Sequence, residues 1–489
     1  MTAHPDQVRR NIFKLTAAGL LGIGVVGRAE NVAAQQISAR SLIGRLAPTG
    51  RGRSRRLIPA QTYGGTNQPV QPSQDTKLSL DWHKARFRAL FDALAPQGVD
   101  AVLLRNVNNA AYFAGYWVFA SERPQAAFKN RDDEAPWHFH PQSYAEILST
   151  AWHDGAKSYF DFPHADGGFP NQGVVRAGPA VDLLNFLLEG LRDKGLQGTK
   201  LGIDGELYPS ELRKIAAIFP NVEIVNISPP IRDLRIVKTP EELALYSRSY
   251  IYNDRAQAFI RDYLLTYGSD VTDLELESAT QLWLSDQLYT DLNLGGGDVN
   301  LGAATRASVR VRTGRANGSP HPNQPYFTRF GPNQSIQATS VVKINGCGGE
   351  NYRTFLTAKR DGSFDSHASK LWQASLRSCD IQVELQGAGV KANEIARAVH
   401  QYQVDEGLAR YIYHRPSHGL AFEGHYPPFI ALGDETVLPL NSALSQEPGL
   451  YDPETGFGFN WSDTVVTGGF RGYRLSATPY SREWSFVRL

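Results

Sequence analysis

Two histidines stand seven residues apart around a glycine, in His418-Gly-Leu-Ala-Phe-Glu-Gly-His425-Tyr-Pro-Pro. Glu447 follows, in Gln446-Glu447-Pro-Gly-Leu-Tyr451, and then Asn460-Trp461-Ser462-Asp463. Earlier in the chain, Val341-Val-Lys-Ile-Asn345 runs through Gly346-Cys-Gly-Gly349 into Glu350-Asn-Tyr352-Arg353-Thr-Phe355. His321 lies in a loop rich in Pro, Asn and Gly. Imidazoles among carboxylates suit acid–base chemistry, because histidine titrates near neutral pH. His138 and His140, two apart, share one face if they lie on a strand, or sit in a polar loop. Cys347 has no recognised base partner. With Cys379 it makes neither a disulfide framework nor a zinc ribbon, and one bridge between the two stays open. Gly295–Gly297 lacks the strand–helix setting of a nucleotide loop. No P-loop, zincin helix or Gly-x-Ser-x-Gly elbow is present.

The elements that must hold these residues fall in two groups. Helical patterns at 241–267, 272–288, 366–387 and 392–407 have strand-like runs between and after them, at 338–345, 352–358, 428–432, 443–447 and 463–467, without regular alternation. This predicts an α+β domain over 234–489. Before it, helices at 79–98, 180–194 and 209–218 alternate with strands at 100–104, 201–204 and 222–225, which predicts a smaller α/β domain over 79–233. Pro240 opens a long helix behind the Thr239 cap. The chain has 489 residues, 42% hydrophobic and 20% charged, a composition that excludes disordered, collagen-like and polytopic membrane proteins. Its net charge of +1 hides an asymmetry, since residues 1–56 carry ten basic and two acidic residues. The remainder carries 40 basic and 47 acidic, which argues against a nucleic-acid partner. Arg9-Arg10-Asn-Ile-Phe-Lys14 ahead of the apolar run Leu15–Val26 predicts a twin-arginine-type signal peptide over 1–34, cleaved near Ala34, and hence an exported, periplasmic protein. Residues 35–78 read as a flexible linker or arm. No stretch is long and apolar enough to predict a membrane span.

The order and spacing of the motifs, opened by Arg235-Ile-Val-Lys238-Thr-Pro-Glu-Glu, resemble the pita-bread family of aminopeptidase P, prolidase, methionine aminopeptidase and creatinase, over about residues 79–480. The resemblance implies a pita-bread catalytic domain behind a creatinase-type N-terminal domain. The family's peptidases hold two divalent metals with Asp, Asp, His, Glu and Glu. Here those positions fall on Asn345, Glu350, His418, Glu447 and Ser462. A turn at Gly346–Gly349 would keep Asn345 and Glu350 facing the site. Asn and Ser are weak ligands, and Asp463 should face away from Ser462. Two metals are therefore not expected. The reading is a site without a metal cofactor; its alternative is one Mn, Co or Zn ion on Glu350, His418 and Glu447.

The metal-free member of the family is creatinase. It shares the Asn at 345, and its essential His corresponds to His321. Its N-terminal-domain Arg corresponds to Arg123; in the family that Arg binds a substrate carboxylate in the partner subunit's site, which implies a homodimer. Two other creatinase contacts fall on Tyr352 and Phe429, so one cation clamp and one anion clamp are missing. The expected substrate is a small, less polar molecule, aromatic or amide-like, against Tyr352, Phe429 and Trp461. The implied activity is metal-independent hydrolysis or lysis of a C–N bond in an amide- or amidine-like substrate. His321 would be general acid/base. Glu447 would hold water or a substrate N–H. His418, His425 and Tyr352 would donate to the developing oxyanion. Arg123, Asn345, Glu350, Phe429 and Ser462 would bind the substrate. The rival readings are an Xaa-Pro-type metallopeptidase with an altered mononuclear site, and a non-catalytic binding protein on the same fold.

Overall fold

The computed structural model describes residues 70–160, 181–294, 299–320 and 327–489. The expected signal peptide, most of the arm, Gly295–Gly297 and His321 lie outside the described residues. Where the arm is described, it is not a free linker. Ser73 N donates to Ala244 O (3.0 Å), and the Arg248 guanidinium donates to the carbonyls of Gln74 and Asp75 (2.7 Å each). Backbone carbonyls capped by an arginine hold this segment against the long helix that follows.

Six strands build the first sheet: β1 Ala101–Leu104, β2 Ala126–Asn130, β3 Trp137–Pro141, β4 Ala156–Tyr159, β5 Lys200–Ile203 and β6 Glu223–Asn226. Their order is β4-β3-β2-β1-β5-β6. β1, β5 and β6 run parallel, as alternating helices and strands predict, whereas β2 pairs antiparallel with both β1 and β3. The sequence pattern conceals β2 and β3 because every residue of both is buried, so no polar–apolar alternation marks them. Burial includes Lys129, whose Nζ is satisfied by the carbonyls of Asn130 and Arg131 (3.1 and 3.3 Å). His138 and His140 are strand residues in this interior, each beside a backbone carbonyl.

The second part opens with the helix Pro240–Tyr267, capped by the reciprocal Thr239–Glu242 box. It lies on the sheet made by β7 Arg306–Thr313, β8 Ser335–Ile344 and β9 Cys347–Thr357, which β17 Phe486–Val487 completes in the order β17-β9-β8-β7. A second sheet runs β11-β10-β12-β15-β16, from β10 Ser417–Ala421, β11 Gly424–Ile430, β12 Ala443–Gln446, β15 Asp463–Thr467 and β16 Gly472–Arg474. β13 Leu450–Asp452 and β14 Phe457–Phe459 form a separate ribbon. One bridge, Tyr352 to Ser462, joins the two larger sheets, with Tyr352 N donating to Ser462 O at 2.9 Å. The helices Ser366–Leu385 and Ala392–Asp405 cover the second sheet. Among the described residues no helix is long and apolar enough to cross a membrane.

The β8–β9 hairpin closes differently from the expectation. Ile344 pairs with Cys347, so the turn is the dipeptide Asn345-Gly346, with φ of 48° and 76°. Two left-handed residues in an Asn-Gly pair match the right-handed strand twist, which makes this the favoured two-residue turn. Gly346–Gly349 is therefore not the turn, and Gly348 and Gly349 lie in β9. Asn345 stands at the hairpin tip, where its Oδ1 accepts from Leu78 N (2.8 Å). It does not share a strand face with Glu350, so its expected place in substrate binding is corrected.

Candidate active site

β9, β10 and β11, with the segment after β12, bring together Glu350, His418, His425 and Glu447. The helix Pro240–Tyr267 fixes the first of these through the backbone. Tyr250 Oη donates to Glu350 O (2.6 Å), and Asn253 Nδ2 to Gly349 O (3.0 Å). On β10, His418 is fully buried, with Nδ1 2.9 Å from Gly419 O. Its Nε2 lies 3.2 Å from Glu447 Oε1. Glu447 is held by its own N–H, which donates to Pro416 O (2.8 Å). His425, on the neighbouring strand, stacks on His418 with ring centroids 3.8 Å apart and planes at 23°. Glu350, His418 and His425 each present one ligand atom, all within 4.8 Å of one another.

Electrostatics separates these groups. Burial pushes the Glu350 carboxyl upward, and the nearby Glu447 charge adds to that, while Tyr352 hydrogen-bonds it. Burial opposes a charged His418, but the Glu447 carboxylate outweighs it and raises the ring's pKa. Burial and the neighbouring His418 lower that of His425. Two stacked imidazoles thus hold different protonation tendencies, one favouring the cation and one the neutral ring.

A cleft of about 420 Å³ opens beside this group. Glu350, His425, Val341, Lys343, Arg306 and Glu423 contribute to its wall. Lys343 is buried, and its Nζ donates to Ala421 O (3.0 Å) and Phe422 O (2.7 Å). Burial lowers its pKa to about 8. Sequence reasoning passed over Lys343, although a lysine inside the apolar run Val341–Ile344 was a visible signal. Arg415 was passed over as well. Its guanidinium lies over the Phe429 ring (4.6 Å to the centroid), and its Nη2 is 3.4 Å from His425 Nδ1.

Tyr352 is buried beside Glu350, and Phe429 stands opposite His418 in the β10–β11 register. Ser462 is buried, with its hydroxyl 2.9 Å from that of Ser445. Asp463 points the other way, as strand alternation requires, and binds Arg353 (3.2 Å) and Asn351 (3.0 Å). Trp461 does not face substrate: it is fully buried between Trp372 and Tyr480, the hydrophobic consequence of lying one residue out of phase with Ser462. Arg123 lies in an exposed loop, ion-paired with Glu122 (3.4 Å), and is not among the residues of the cleft wall. Cys347 and Cys379 are free and buried. Burial raises both thiols, which removes Cys347 as a nucleophile.

The ligand inventory can now be tested against a metal centre. The β8 residue opposite Glu350 is Val341, and the hydroxyl of Ser462 is engaged with Ser445. A two-metal site does not fit, because two of its carboxylate positions carry no ligand of that kind. A single divalent ion does fit: Glu350, His418 and His425 converge, and Glu350 Oε2 is buried with no hydrogen-bond partner. His425 replaces Glu447 as the third member of the convergent set.

Paired sheets under a long helix, with histidines and carboxylates converging between strands, define a hydrolase of the pita-bread fold. The chain carries a C-terminal domain that matches the model of metallopeptidase family M24 over residues 284–468, and a creatinase/prolidase N-terminal domain matched over residues 86–237. An Xaa-Pro dipeptidase of Lactobacillus delbrueckii subsp. lactis is 22% identical over 364 residues, 74% of this chain and 88% of that protein. An Xaa-Pro dipeptidase of Pyrococcus horikoshii is 26% identical over 293 residues, 58% of this chain and 75% of its own length. Among solved structures, a prolidase from Thermococcus sibiricus superposes with a TM-score of 0.65 at 18% identity, covering 84% of this chain and all of that one, which is a likeness of fold. The expectation of a site without a metal is not supported: the matched domain is that of a metallopeptidase family, and a group able to hold an ion is present.

Proposed function

We propose that this protein is a metal-dependent peptidase acting on short Xaa-Pro-type peptides through a mononuclear site. The observation that carries the reading is the convergence of Glu350, His418 and His425 within 4.8 Å. The relatives are Xaa-Pro dipeptidases, which suggests the substrate class. A divalent ion bound there would polarise the scissile carbonyl and acidify a nearby water. The chain's own groups do the rest. Glu447, beside His418 but outside the convergent set, accepts the proton of the attacking water. Water adds OH to the acyl carbon, the C–N bond breaks, and the proton passes to the leaving amine. Tyr352 donates to Glu350 and fixes its orientation.

Purified protein loaded with manganese, cobalt or zinc is expected to hold about one ion per subunit and to cleave Leu-Pro, with loss of activity on chelation. Cleavage that persists in chelator, in protein without bound metal, would refute this reading. It would return the site to metal-independent C–N cleavage, the chemistry favoured by one specific observation, the 3.2 Å contact between His418 and Glu447.

A further inference from the structure

A lysine interrupts the apolar run Val341-Val-Lys343-Ile344, in the largely buried strand β8. Lys343 lies two places from Val341, so both belong to the face of the sheet that carries Glu350. Its partner across the ladder is Gly348, which brings no side chain to that face. Glu350 is then its diagonal neighbour, a pair about 7–8 Å apart at the backbone. Lys343 contributes to the cleft wall together with Glu350, His425 and Glu423. Its Nζ donates to Ala421 O (3.0 Å) and Phe422 O (2.7 Å), at the end of β10 and the turn after it. Ala421 is one place beyond Leu420, which pairs with His425. The ammonium is thereby held between the strand of Glu350 and the turn that leads to His425.

An ammonium carries three N–H donors. Two are used here, and among the described residues the third has no acceptor and no carboxylate ion-pairs with Lys343. A buried cation without a counter-charge is costly to keep. Burial lowers its pKa to about 8, but the charges of Glu423 and Glu350 favour the ammonium, which stays the main form at neutral pH. The balance of charge shows what this cation can serve. Glu350 and Glu447 together balance one divalent ion, while Val341 and Ser462 bring no carboxylate for a second. Lys343 adds one further positive charge to the same wall. That charge is met only when negative charge develops in the cleft, as it does on the oxygen of an amide carbonyl attacked by water.

We propose that Lys343 is the second cation of this site: its ammonium takes the part that a second divalent ion plays in a dinuclear site, and its free N–H is donated to the oxyanion formed from the scissile carbonyl. The lysine makes no covalent bond. Its hydrogen bond strengthens as the carbonyl oxygen gains charge, and relaxes as the C–N bond breaks and the carbonyl re-forms. The inference rests on the metallopeptidase reading above and adds the group that lets one ion suffice. Two variants separate the roles. Lys343→Met keeps the length of the side chain and loses the charge. Lys343→Glu returns a carboxylate to the face of Glu350, and with it the means to hold a second ion.

Ions per subunit are counted by elemental analysis after loading with manganese and removing the excess. About one is expected in the wild type and in Lys343→Met, and about two in Lys343→Glu. Lys343→Met should lose about a hundredfold to a thousandfold in kcat on Leu-Pro, with KM changed by less than about threefold, because the donor acts on the transition state and not on bound substrate. A merely structural lysine would lower the unfolding midpoint and leave kcat per loaded subunit within about tenfold. If the loaded wild type does not cleave Leu-Pro, the peptidase reading fails separately and the ion counts still decide. A gain of about one ion in Lys343→Glu then supports the cation role, and no gain overturns it. If Lys343→Glu does not fold, Lys343→Asp gives the same count with a shorter carboxylate. Two ions in the wild type, no extra ion in a folded carboxylate variant, or Lys343→Met turnover within about tenfold of wild type would overturn the proposal.

Discussion

At the scale of single residues, the contact between His418 and Glu447 governs what the site can do. The buried carboxylate raises the imidazole's pKa against its desolvation. A histidine so raised adds stability below the value of a free imidazole and loses that contribution as pH rises through the folded value. A metal competes with the same proton, so loading should release it and improve toward alkaline pH. Glu447→Gln removes the charge with little change of volume. Its expected effects are a fall of about a hundredfold or more in kcat and a lower His418 pKa, followed by NMR titration of the imidazole. An unchanged His418 titration would show that the two groups do not interact. The legible part of the site was also at this scale. His418, His425 and Glu447 were legible through the family resemblance; the two histidines lie on one strand–turn–strand unit, whereas Glu447 follows β12 and reaches them through the pairing of β12 with β10. Arg415 was not, since its neighbour Phe429 is set by the pairing of β10 with β11.

At the scale of elements, the β8–β9 hairpin decides which side chains share the site. Its two-residue turn sets the register that puts Val341 opposite Glu350 and leaves Asn345 at the tip. A four-residue turn was the natural reading of a glycine-rich stretch. The Asn-Gly pair nevertheless closes the hairpin two residues earlier, because both positions accept positive φ. Gly346 lies against the rings of Trp117 and Phe422, where an added methyl group has no room. Gly346→Ala should therefore destabilise the protein by about 1–3 kcal/mol, through left-handed strain and overpacking. A urea unfolding midpoint within error of wild type would contradict this account of the turn.

At the scale of the whole molecule, the first sheet and the catalytic sheets are tied by Arg235. Its buried guanidinium pairs bidentately with Glu423 at the β10–β11 turn and donates to Asn109 Oδ1 (2.7 Å). The N-terminal part thereby supports the turn that carries His425. That same part holds two neutral histidines in its interior. Burial lowers the pKa of His83 to about 4 and of His138 to about 3. Both folded values lie below the unfolded value near 6.5, so the unfolded chain takes up protons first as pH falls. Stability present at neutral pH should then be lost as pH drops from about 6.5 toward 4, at up to about 1.4 kcal/mol per unit for each histidine. Chemical unfolding at successive pH values measures the slope, and His138→Phe should make it shallower. A pH-independent midpoint over this range would exclude the buried neutral state.

Sequence alone determined the family resemblance, the α+β class and the set of groups able to do the chemistry, because ligand types and their order along the chain survive without knowledge of packing. Tertiary structure decided which of them converge. Strand side chains alternate, so one residue of register moves a group from the site to the core. Trp461 went to the core for that reason, and Asn345 to a hairpin tip because the Asn-Gly pair closes the turn there. Val341 faces Glu350, and Arg415 covers Phe429, by pairings between strands that no local pattern encodes.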